Sequence, residues 1–306
     1  MPTERLMQPA VYHAGLEADK VLRLAAEHFF TPEQRAFREC RMDNENDFHR
    51  IYGEWLSLRN FEWFAQQIVC EAPDHLVRLR GNCAVCGAEE DFLIRMQGGN
   101  VNWEEQVICP SCQCNARSRF WVHQIQQHAN GGKCVVLERA QNERNRISRI
   151  LGKDVDLYAR RTVGASDRIQ GKLNLEQLPY ETQSLQLFAS YDFLETVETP
   201  EIVLREMYRV LQPGGRMLMH TLFDANASHT TARTVRRNGI PVSESGLWYR
   251  DPGAEEKELS LVWNVFGWDL LENIRACGFQ DAFCTTHYSI SDGYMGYLPI
   301  WIEAIR

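Results

Sequence analysis

The stretch LEQLPYETQSLQLFASYDFLETVETPEIVLREMYRVLQPGGRMLMHTLF, at residues 175–223, alternates strand and helix patterns. Residues 184–194 are apolar enough for a buried strand and the turn after it, residues 200–211 place apolar side chains at helical spacing, and residues 215–223 predict a second strand. The pair Gly214-Gly215 lets the helix end and the chain reverse direction at once. The stretch therefore predicts a strand–helix–strand unit, which pairs its strands in parallel.

The same alternation continues on both sides of this stretch. Strand patterns precede it at residues 133–138 and 155–159, with a helix pattern at residues 142–151 between them. A helix pattern at residues 268–277 and a strand pattern at residues 299–305 follow it. Because strands that alternate with helices form parallel β-α-β units, the predicted fold class is α/β with a doubly wound Rossmann-like sheet.

Residues 1–78 predict a helical N-terminal segment ahead of this sheet. Thr31-Pro32-Glu33-Gln34 has the composition of a capped helix start, with a threonine cap, a proline in the first turn and a glutamine that reaches back to the cap. A second amphipathic run opens at Asn60 and ends at Pro73. The many aromatic side chains of this segment favour packing against the rest of the protein, and a substrate lid is the alternative.

Composition and charge narrow the class of protein. The chain has 306 residues, a formal net charge of −8 and 44% hydrophobic residues, as is typical of a globular protein. No apolar run approaches the roughly 18 residues that span a bilayer, and the N-terminus lacks a basic-then-apolar signal pattern, so we expect a cytoplasmic protein without a membrane partner. The negative net charge argues against broad, nonspecific nucleic-acid binding.

Two Cys-x-x-Cys motifs predict a metal site within residues 79–117. Cys83 and Cys86 form the first motif, and Cys109 and Cys112 form the second. Each motif presents two thiolates from one tight turn, and two such turns supply the four soft ligands of a tetrahedral zinc ion. Because four thiolates close the coordination shell, the predicted Zn2+ is structural and not catalytic.

Alternatives to this site stay open at the level of sequence. The motifs could arise by chance or form a redox pair, and Cys114 could replace Cys112 as the fourth ligand. A zinc ribbon can also bind nucleic acid, but the acidic residues that flank the motifs, such as Glu89, Glu90 and Glu105, weigh against that role.

The stretch at residues 175–223 resembles the middle of class I S-adenosylmethionine (SAM)-dependent methyltransferases. Leu178-Pro179-Tyr180 is similar to the Leu-Pro-Phe that precedes their fourth strand, and Asp192-Phe193-Leu194-Glu195 to the end of that strand. The sequence RVLQPGG at residues 209–215 is similar to the turn into their fifth strand. The resemblance implies SAM as the cofactor and a site beside Asp192 where methyl donor and acceptor meet.

The resemblance extends to a methyltransferase subgroup with an N-terminal zinc ribbon. The shared features are the Asn/Arg-rich residues 114–119 after the second cysteine motif, the FGWDLL segment at 266–271 and the GFQDA segment at 278–282. The subgroup implies a small-molecule or glycan acceptor. The implied organisation is a helical segment at 1–78, a zinc ribbon at 79–117 and a methyltransferase domain at 118–306, with an acceptor-pocket insertion at 224–263.

The resemblance also implies a cofactor site, in which this chain departs from the family pattern. Residues 139–144 (RAQNER) lack the glycines that let backbone approach the methionine part of SAM. Residues 157–160 (LYAR), where the family binds the ribose hydroxyls, contain no acid, and Asn174 replaces the aspartate that meets the adenine amine. The cofactor-binding candidates are Glu138, Ala140, Asn142, Tyr158, Asn174, Leu175 and Asp192.

Four side chains are candidates for catalysis. A hydroxyl acceptor needs a general base, whereas a carboxylate or thiol acceptor needs less help. Asp192 and Glu195 lie at the predicted end of the fourth strand, His220 lies near the end of the fifth, and Tyr249 lies in the insertion. The alternatives are a helix cap for Glu195 and a core position for His220.

The sequence thus predicts SAM-dependent methyl transfer to a small-molecule or glycan acceptor, with a structural zinc site. The glycine-poor loop and the missing ribose acid support an alternative, a methyltransferase-like pseudoenzyme that acts as a binding or scaffold protein. A nucleic-acid methyltransferase is a third hypothesis, but YDFL at residues 191–194 is not the Asn-Pro-Pro-Tyr type of motif that would support it. Nothing in the sequence predicts the oligomeric state.

Overall fold

The computed structural model contains helices and strands in mixed order, and it describes residues 17–36, 38–129, 131–138, 141–151, 155–158, 163–164, 173–250 and 260–306. The helices within these ranges are α1 Ala18–Phe29, α2 Pro32–Arg35, α3 Glu45–Glu71, α4 Ala116–Ala129, α5 Gln141–Leu151, α6 Pro200–Val210 and α7 Asp269–Ala276. Short 3-10 turns occupy Pro73–His75 and Leu194–Thr196.

The strands of the described residues include both long sheet members and short two-residue pairs. They are β1 Arg38–Met42, β2 Leu76–Cys83, β3 Ala88–Arg95, β4 Val107–Ile108, β5 Cys134–Leu137, β6 Val155–Tyr158, β7 Val163–Gly164, β8 Leu173–Asn174, β9 Leu185–Tyr191, β10 Leu211–His220, β11 Thr231–Ala232, β12 Val235–Arg237, β13 Ile240–Val242, β14 Tyr249–Arg250, β15 Ser260–Leu261, β16 Asn264–Val265, β17 Asp281–Tyr288 and β18 Trp301–Ile305.

The central sheet has seven strands in the order β1-β17-β18-β10-β9-β5-β6. Strands β6, β5, β9 and β10 are parallel to their neighbours in this series, whereas β18 is antiparallel to both β10 and β17. The predicted α/β Rossmann-like fold is confirmed as a mixed sheet. The antiparallel strand was not predicted, because an apolar strand pattern does not reveal strand direction.

The Gly214-Gly215 pair, predicted as the turn between a helix and a strand that starts at residue 215, lies inside β10, which starts earlier, at Leu211. Helix α6 ends at Val210 and β10 begins at the next residue, with a register shift between Leu211 and Arg216 in its pairing with β9. Gly214 lies at φ +76°, a conformation that a residue with a Cβ rarely adopts. The glycine pair thus lies in the irregular part of β10, before its regular pairing with β9 starts at Arg216.

The N-terminal segment is helical with two differences from the prediction. The Thr31 capping box is confirmed, since Thr31 Oγ1 accepts from the Gln34 N–H and Gln34 Oε1 accepts from the Thr31 N–H. Asn60, however, lies inside the continuous helix α3, whose start is capped by the Asn44 side chain. Residues 38–42 form strand β1 of the central sheet, which the helical prediction missed.

The chain divides into two compact units, each assembled from separate stretches. The first takes residues up to Glu39, Ile51–Trp121 and His287–Pro299, and contains the antiparallel sheet β2-β3-β4 around the buried Val77, Phe92 and Ile94. The second takes Cys40–Arg50, Val122–Thr286 and Ile300–Arg306 and holds most of the central sheet. The predicted division at residues 78 and 117 stays a prediction. Within the described ranges, no helix is both long and apolar enough to cross a membrane.

Candidate active site and metal centre

The ends of β9 and β10 bring two of the predicted residues together. Tyr191 is the register partner of His220, and the Asp192 N–H donates to the His220 carbonyl at 2.9 Å. Asp192 has φ +58°, in the left-handed region that residues other than glycine rarely occupy and that is enriched at functional sites. Its Oδ1 lies 2.8 Å from His220 Nδ1. The turn after β9 thus forms an Asp–His pair.

Aromatic side chains fix the orientation of the His220 ring. Tyr191 stacks on it with ring centroids 4.5 Å apart and planes 8° apart, and Trp301 meets it at 5.4 Å and 63°. A neutral imidazole that donates from Nδ1 to Asp192 keeps Nε2 as a hydrogen-bond acceptor. The His220 side chain is 24% exposed, so the ring is partly accessible.

Arg250 of the insertion connects both predicted carboxylates. Its Nη2 lies 2.8 Å from Asp192 Oδ1, and its Nε donates to Glu195 Oε1 at 2.8 Å. Burial disfavours the charged guanidinium, but the charges of Asp192 and Glu195 outweigh it and raise the pKa of Arg250. The insertion is therefore attached by an ion-pair network to the end of β9.

Glu195 is the most buried member of this network. Its side chain has no exposed surface, and its second oxygen, Oε2, accepts from Thr221 Oγ1 at 2.8 Å. Its backbone carbonyl also accepts from the Trp263 N–H at 2.8 Å. With both carboxylate oxygens engaged, Glu195 is arranged as an anchor for the insertion rather than as a proton acceptor. Its predicted catalytic role stays a prediction.

Arg250→Ala is expected to lower the free energy of unfolding by about 3 kcal/mol, because it leaves the buried Glu195 carboxylate without its cation. Urea titration followed by circular dichroism measures the change. Arg236→Ala is the matched control, since the Arg236–Glu198 pair is exposed on both sides and is expected to contribute much less to stability than the buried pair. Equal losses for the two variants would contradict the anchoring role.

Tyr249 is next to Arg250 in sequence, but the described residues show no contact between its side chain and this cluster. It pairs with Leu261 across the short β14–β15 ladder, and 40% of its surface is exposed. Successive strand residues point to opposite sides, so Arg250 faces the carboxylates and Tyr249 faces away. The sequence analysis selected Tyr249 and missed Arg250. The available signal was the positive charge of Arg250, which is opposite to that of the predicted acids Asp192 and Glu195.

Three cofactor-binding candidates lie at the carboxyl ends of neighbouring parallel strands. Leu137 pairs with Tyr158 on one side and Ser190 on the other, so Glu138, one residue after Leu137, and Asp192, two residues after Ser190, reach the same edge of the sheet. Glu138 is 1% exposed and donates its N–H to the Tyr158 carbonyl. This edge is where open α/β sheets bind ligands.

The loop after β5 carries an arginine contact where the family has glycines. Arg144 is buried, and its Nη1 donates to the Glu138 carbonyl at 2.7 Å. The contact ties the start of α5 to the end of β5. Ala140 lies outside the described residues, and so does the side chain of Asn142.

The remaining cofactor candidates have side chains engaged elsewhere. The Tyr158 hydroxyl is 2.8 Å from the Tyr180 hydroxyl, which donates to Asp156 Oδ2. Asn174 Oδ1 accepts from the Glu176 N–H at 2.9 Å and so caps a local turn. Leu175 is 2% exposed and belongs to the core. The amide oxygen of Asn174 has a second lone pair, so the predicted adenine contact stays a prediction.

The four predicted metal ligands converge in the first compact unit. The Sγ atoms of Cys83, Cys86, Cys109 and Cys112 all lie within 4.8 Å of one another. The Cys83–Cys112 and Cys86–Cys109 pairs are 3.8 and 3.7 Å apart. A tetrahedral ion with Zn–S bonds of about 2.3 Å requires sulfur separations of about 3.8 Å, so the cluster fits zinc.

The two cysteine turns have matching backbones. Gly87 N–H donates to the Cys83 carbonyl and Gln113 N–H donates to the Cys109 carbonyl, each at 2.8 Å. Gly87 and Gln113 both adopt positive φ, at +67° and +59°. Each turn thereby directs its pair of thiols to one side, as the predicted motif requires.

Cys114 is excluded from the ligand set by geometry. Its Sγ lies 3.8 Å from the Cys112 carbonyl and it does not join the four clustered sulfur atoms. Its own carbonyl accepts from the Cys109 N–H at 3.0 Å, which stabilises the second turn. Cys112 is therefore the fourth member of the cluster, as predicted.

Each thiol of the cluster disfavours ionisation of the neighbouring thiols. The hydrogen bond to Cys112 and burial raise the pKa of Cys83, and burial together with Cys83 raises the pKa of Cys86 to about 12. Four thiolates at these distances need a cation to balance their charge, which a soft divalent ion provides.

Comparison with known proteins finds a family similarity for one part of the chain. A family model described as a methyltransferase domain matches residues 131–219, which contain β5 to most of β10. No curated protein matches the chain. The matched region includes Glu138, Asp192 and Glu195, and His220 follows it directly.

Solved structures of methyltransferases give only distant matches. A SAM-dependent methyltransferase from Mesorhizobium loti is 12% identical, with 60% of this chain and 95% of that chain covered and a TM-score of 0.33. One from Aquifex aeolicus is 10% identical, with 60% and 88% covered and a TM-score of 0.33. A 1,6-didemethyltoxoflavin-N1-methyltransferase from Burkholderia thailandensis is 13% identical, with 62% and 77% covered and a TM-score of 0.33. The comparisons thus identify residues 131–219 as similar to a methyltransferase domain.

Proposed function

We propose that this protein is a SAM-dependent methyltransferase whose cofactor binds at the carboxyl ends of β5, β6 and β9. The observation that carries the proposal is that the methyltransferase match at residues 131–219 contains the sheet edge where Glu138, Tyr158 and Asp192 lie. Ligands of open α/β sheets bind at this edge. When bound, SAM supplies a methyl group on a positively charged sulfur.

His220 is the general base of the proposed reaction. Its Nε2 accepts the proton of an acceptor hydroxyl or amine, while Asp192 holds the ring through Nδ1 and stabilises the imidazolium that forms. The stacked Tyr191 ring limits rotation of the imidazole. The pair therefore provides a proton acceptor in a fixed orientation. This suits methyl transfer, which depends on the alignment of donor and acceptor.

The insertion at residues 224–263 forms the acceptor side of the proposed site. Arg250 attaches it to Asp192 and Glu195, directly beside His220. A small molecule or a glycan unit is the proposed acceptor class. No membrane partner is proposed, and the acidic composition disfavours a nucleic-acid substrate.

The first experiment is a calorimetric titration with S-adenosylhomocysteine (SAH). Glu138→Gln is expected to weaken SAH binding at least about tenfold, or about 1.4 kcal/mol, because Glu138 lies at the proposed cofactor edge. Glu181→Gln, at an exposed position away from that edge, is the control and should leave the Kd unchanged. Similar Kd values for all three proteins would contradict the placement of the cofactor.

A second candidate function is ligand binding without catalysis. The Arg144–Glu138 contact favours it, because a buried guanidinium lies against the end of β5, next to the positions whose glycines approach SAM in the family. Under this hypothesis SAH does not bind even near millimolar concentration, and the same edge holds a different ligand or a partner protein. Detectable SAH binding together with methyl transfer would exclude it.

We also propose that the four clustered cysteines hold one structural zinc ion. The strands β2, β3 and β4 with the two cysteine turns then form a zinc ribbon, in which all four ligands come from the protein. A closed shell has no position for substrate, so the metal would stabilise the fold and take no part in methyl transfer.

A further inference from the structure

The arginines of the insertion differ in their counter-ions. Arg236 forms a two-point pair with Glu198, with its Nε 2.9 Å from Oε1 and its Nη2 2.6 Å from Oε2, and Arg250 pairs with Asp192 and Glu195. Arg233 has no carboxylate within 4.0 Å among the described residues. Its Nε is buried without a hydrogen-bond acceptor in the same part of the chain. Arg233 is therefore a partly buried cation whose charge the described residues do not balance.

An aromatic ring lies directly beside this cation. The Arg233 guanidinium carbon is 5.5 Å from the centroid of the Trp248 ring, within the distance of a cation–π contact. Trp248 is 41% exposed, so a ligand can reach the ring. The two side chains thus present a positive fork and a flat apolar surface next to each other.

Backbone hydrogen bonds connect this pair to the proposed active site. The N–H groups of Arg233 and Thr234 donate to the Trp263 carbonyl at 2.7 and 3.2 Å, and the Trp263 N–H donates to the Glu195 carbonyl. On the other side, Val262 N–H donates to the Trp248 carbonyl at 2.9 Å. Residues 262–263 therefore connect the backbones of Arg233 and Trp248 to the backbone of Glu195.

We propose that Arg233 and Trp248 bind the methyl acceptor, and that this acceptor is a planar ring carrying an anionic group. A guanidinium binds a carboxylate or phosphate through two parallel hydrogen bonds, and an indole ring stacks on a flat ring. An anion would balance the charge of Arg233, for which the described residues supply no carboxylate within 4.0 Å. This inference rests on the proposed function, since it assigns the substrate of the same site.

The test uses three small probes that share one ring: benzoate, phenyl phosphate and benzamide. Ligand-observed NMR titrations measure the Kd of each with the full-length protein. Benzoate or phenyl phosphate is expected to bind at millimolar concentration, and the neutral benzamide at least about tenfold more weakly. The stronger of the two anions then identifies the anionic group. Absence of anion binding up to about 20 mM, or equal binding of benzamide, would overturn the proposal.

Variants assign the binding to the named residues. Arg233→Gln is expected to weaken the anions at least about tenfold and to leave benzamide unchanged, whereas Trp248→Leu should weaken all three probes. Arg237→Gln is the matched control, because Arg237 is an exposed arginine of the same insertion. Arg233→Lys keeps the charge without the planar fork, and it should retain part of the anion binding if Arg233→Gln folds poorly. Full anion binding by Arg233→Gln would overturn the assignment.

The same preparations are titrated with SAH. Loss of the anion preference with SAH binding intact would refute this inference alone. Absence of SAH binding in every preparation would refute the proposed methyltransferase function, and the probe titrations would still decide whether Arg233 and Trp248 bind an anionic ring.

Discussion

Cys109→Ser is expected to abolish stoichiometric zinc binding and to lower the Tm by about 10 °C or more. Cys109 is completely buried, and its sulfur lies 3.7 Å from that of Cys86. Losing one of four ligands leaves a three-thiolate site with much lower affinity. Because metal binding and folding are coupled in small zinc sites, where apparent binding energies are about 10–16 kcal/mol, the lost affinity appears as lost stability.

Metal analysis by mass spectrometry and differential scanning calorimetry measure the two effects. The untreated protein should contain about one zinc ion per chain. Cys70→Ser is the control, since Cys70 is an exposed cysteine outside the cluster and should change neither zinc content nor Tm. Cys114→Ala should retain the metal, because its sulfur lies outside the ligand set. Well-folded wild-type protein without zinc would refute the site.

The cysteine cluster could be predicted from sequence because its geometry is local. Each Cys-x-x-Cys turn fixes two thiols within one turn of chain, and positive φ at the following residue, Gly87 or Gln113, completes it. Only the meeting of the two turns depends on the fold, and the antiparallel pairing of β2, β3 and β4 brings them together. The choice of Cys112 over Cys114 follows from the same local geometry.

The fold itself was predictable from periodicity and from the helix end at Val210. Alternating strand and helix patterns identified the parallel strands, and the glycine pair marked the point where the regular pairing of β10 with β9 starts. Strand β1 was missed because its sequence, RECRM, alternates polar and apolar residues too weakly for a strand prediction. The continuation of α3 through Asn60 was missed because an asparagine at a helix interior is not distinguishable from a cap by sequence alone.

The ion-pair network of the candidate site depends on contacts distant in sequence. Arg250 meets Glu195 across 55 residues of chain, and this contact depends on how the insertion packs at the end of β9. A two-residue strand such as β14 has too little alternation to show which of Tyr249 and Arg250 faces the site. His220 and Asp192, by contrast, follow from neighbouring parallel strands, whose ends meet at one edge.

His220→Ala is expected to lower kcat by a factor of about 10²–10⁴ while SAH affinity changes less than about threefold. His220 contacts Asp192 through Nδ1, so Nε2 is the nitrogen available to take a proton from the acceptor. Removing the imidazole removes the base but leaves the strand ends β5 and β6, where the cofactor is proposed to bind. Turnover is measured as SAH release with the best acceptor from a panel of small phenols, aromatic acids and sugars.

His229→Ala is the matched control for this prediction, because the His229 side chain is 87% exposed and lies 3.7 Å from Asp269, away from the pair. Asp192→Asn should reduce kcat less than His220→Ala, since the ring remains but loses its carboxylate partner. That variant also weakens the contact with Arg250, so its Tm is compared with that of Arg250→Ala to separate stability from catalysis. A His220→Ala enzyme with wild-type turnover would show that the acceptor needs no base. The Asp192–His220 pair would then hold the end of β10 in place, and methyl transfer would rest on alignment alone.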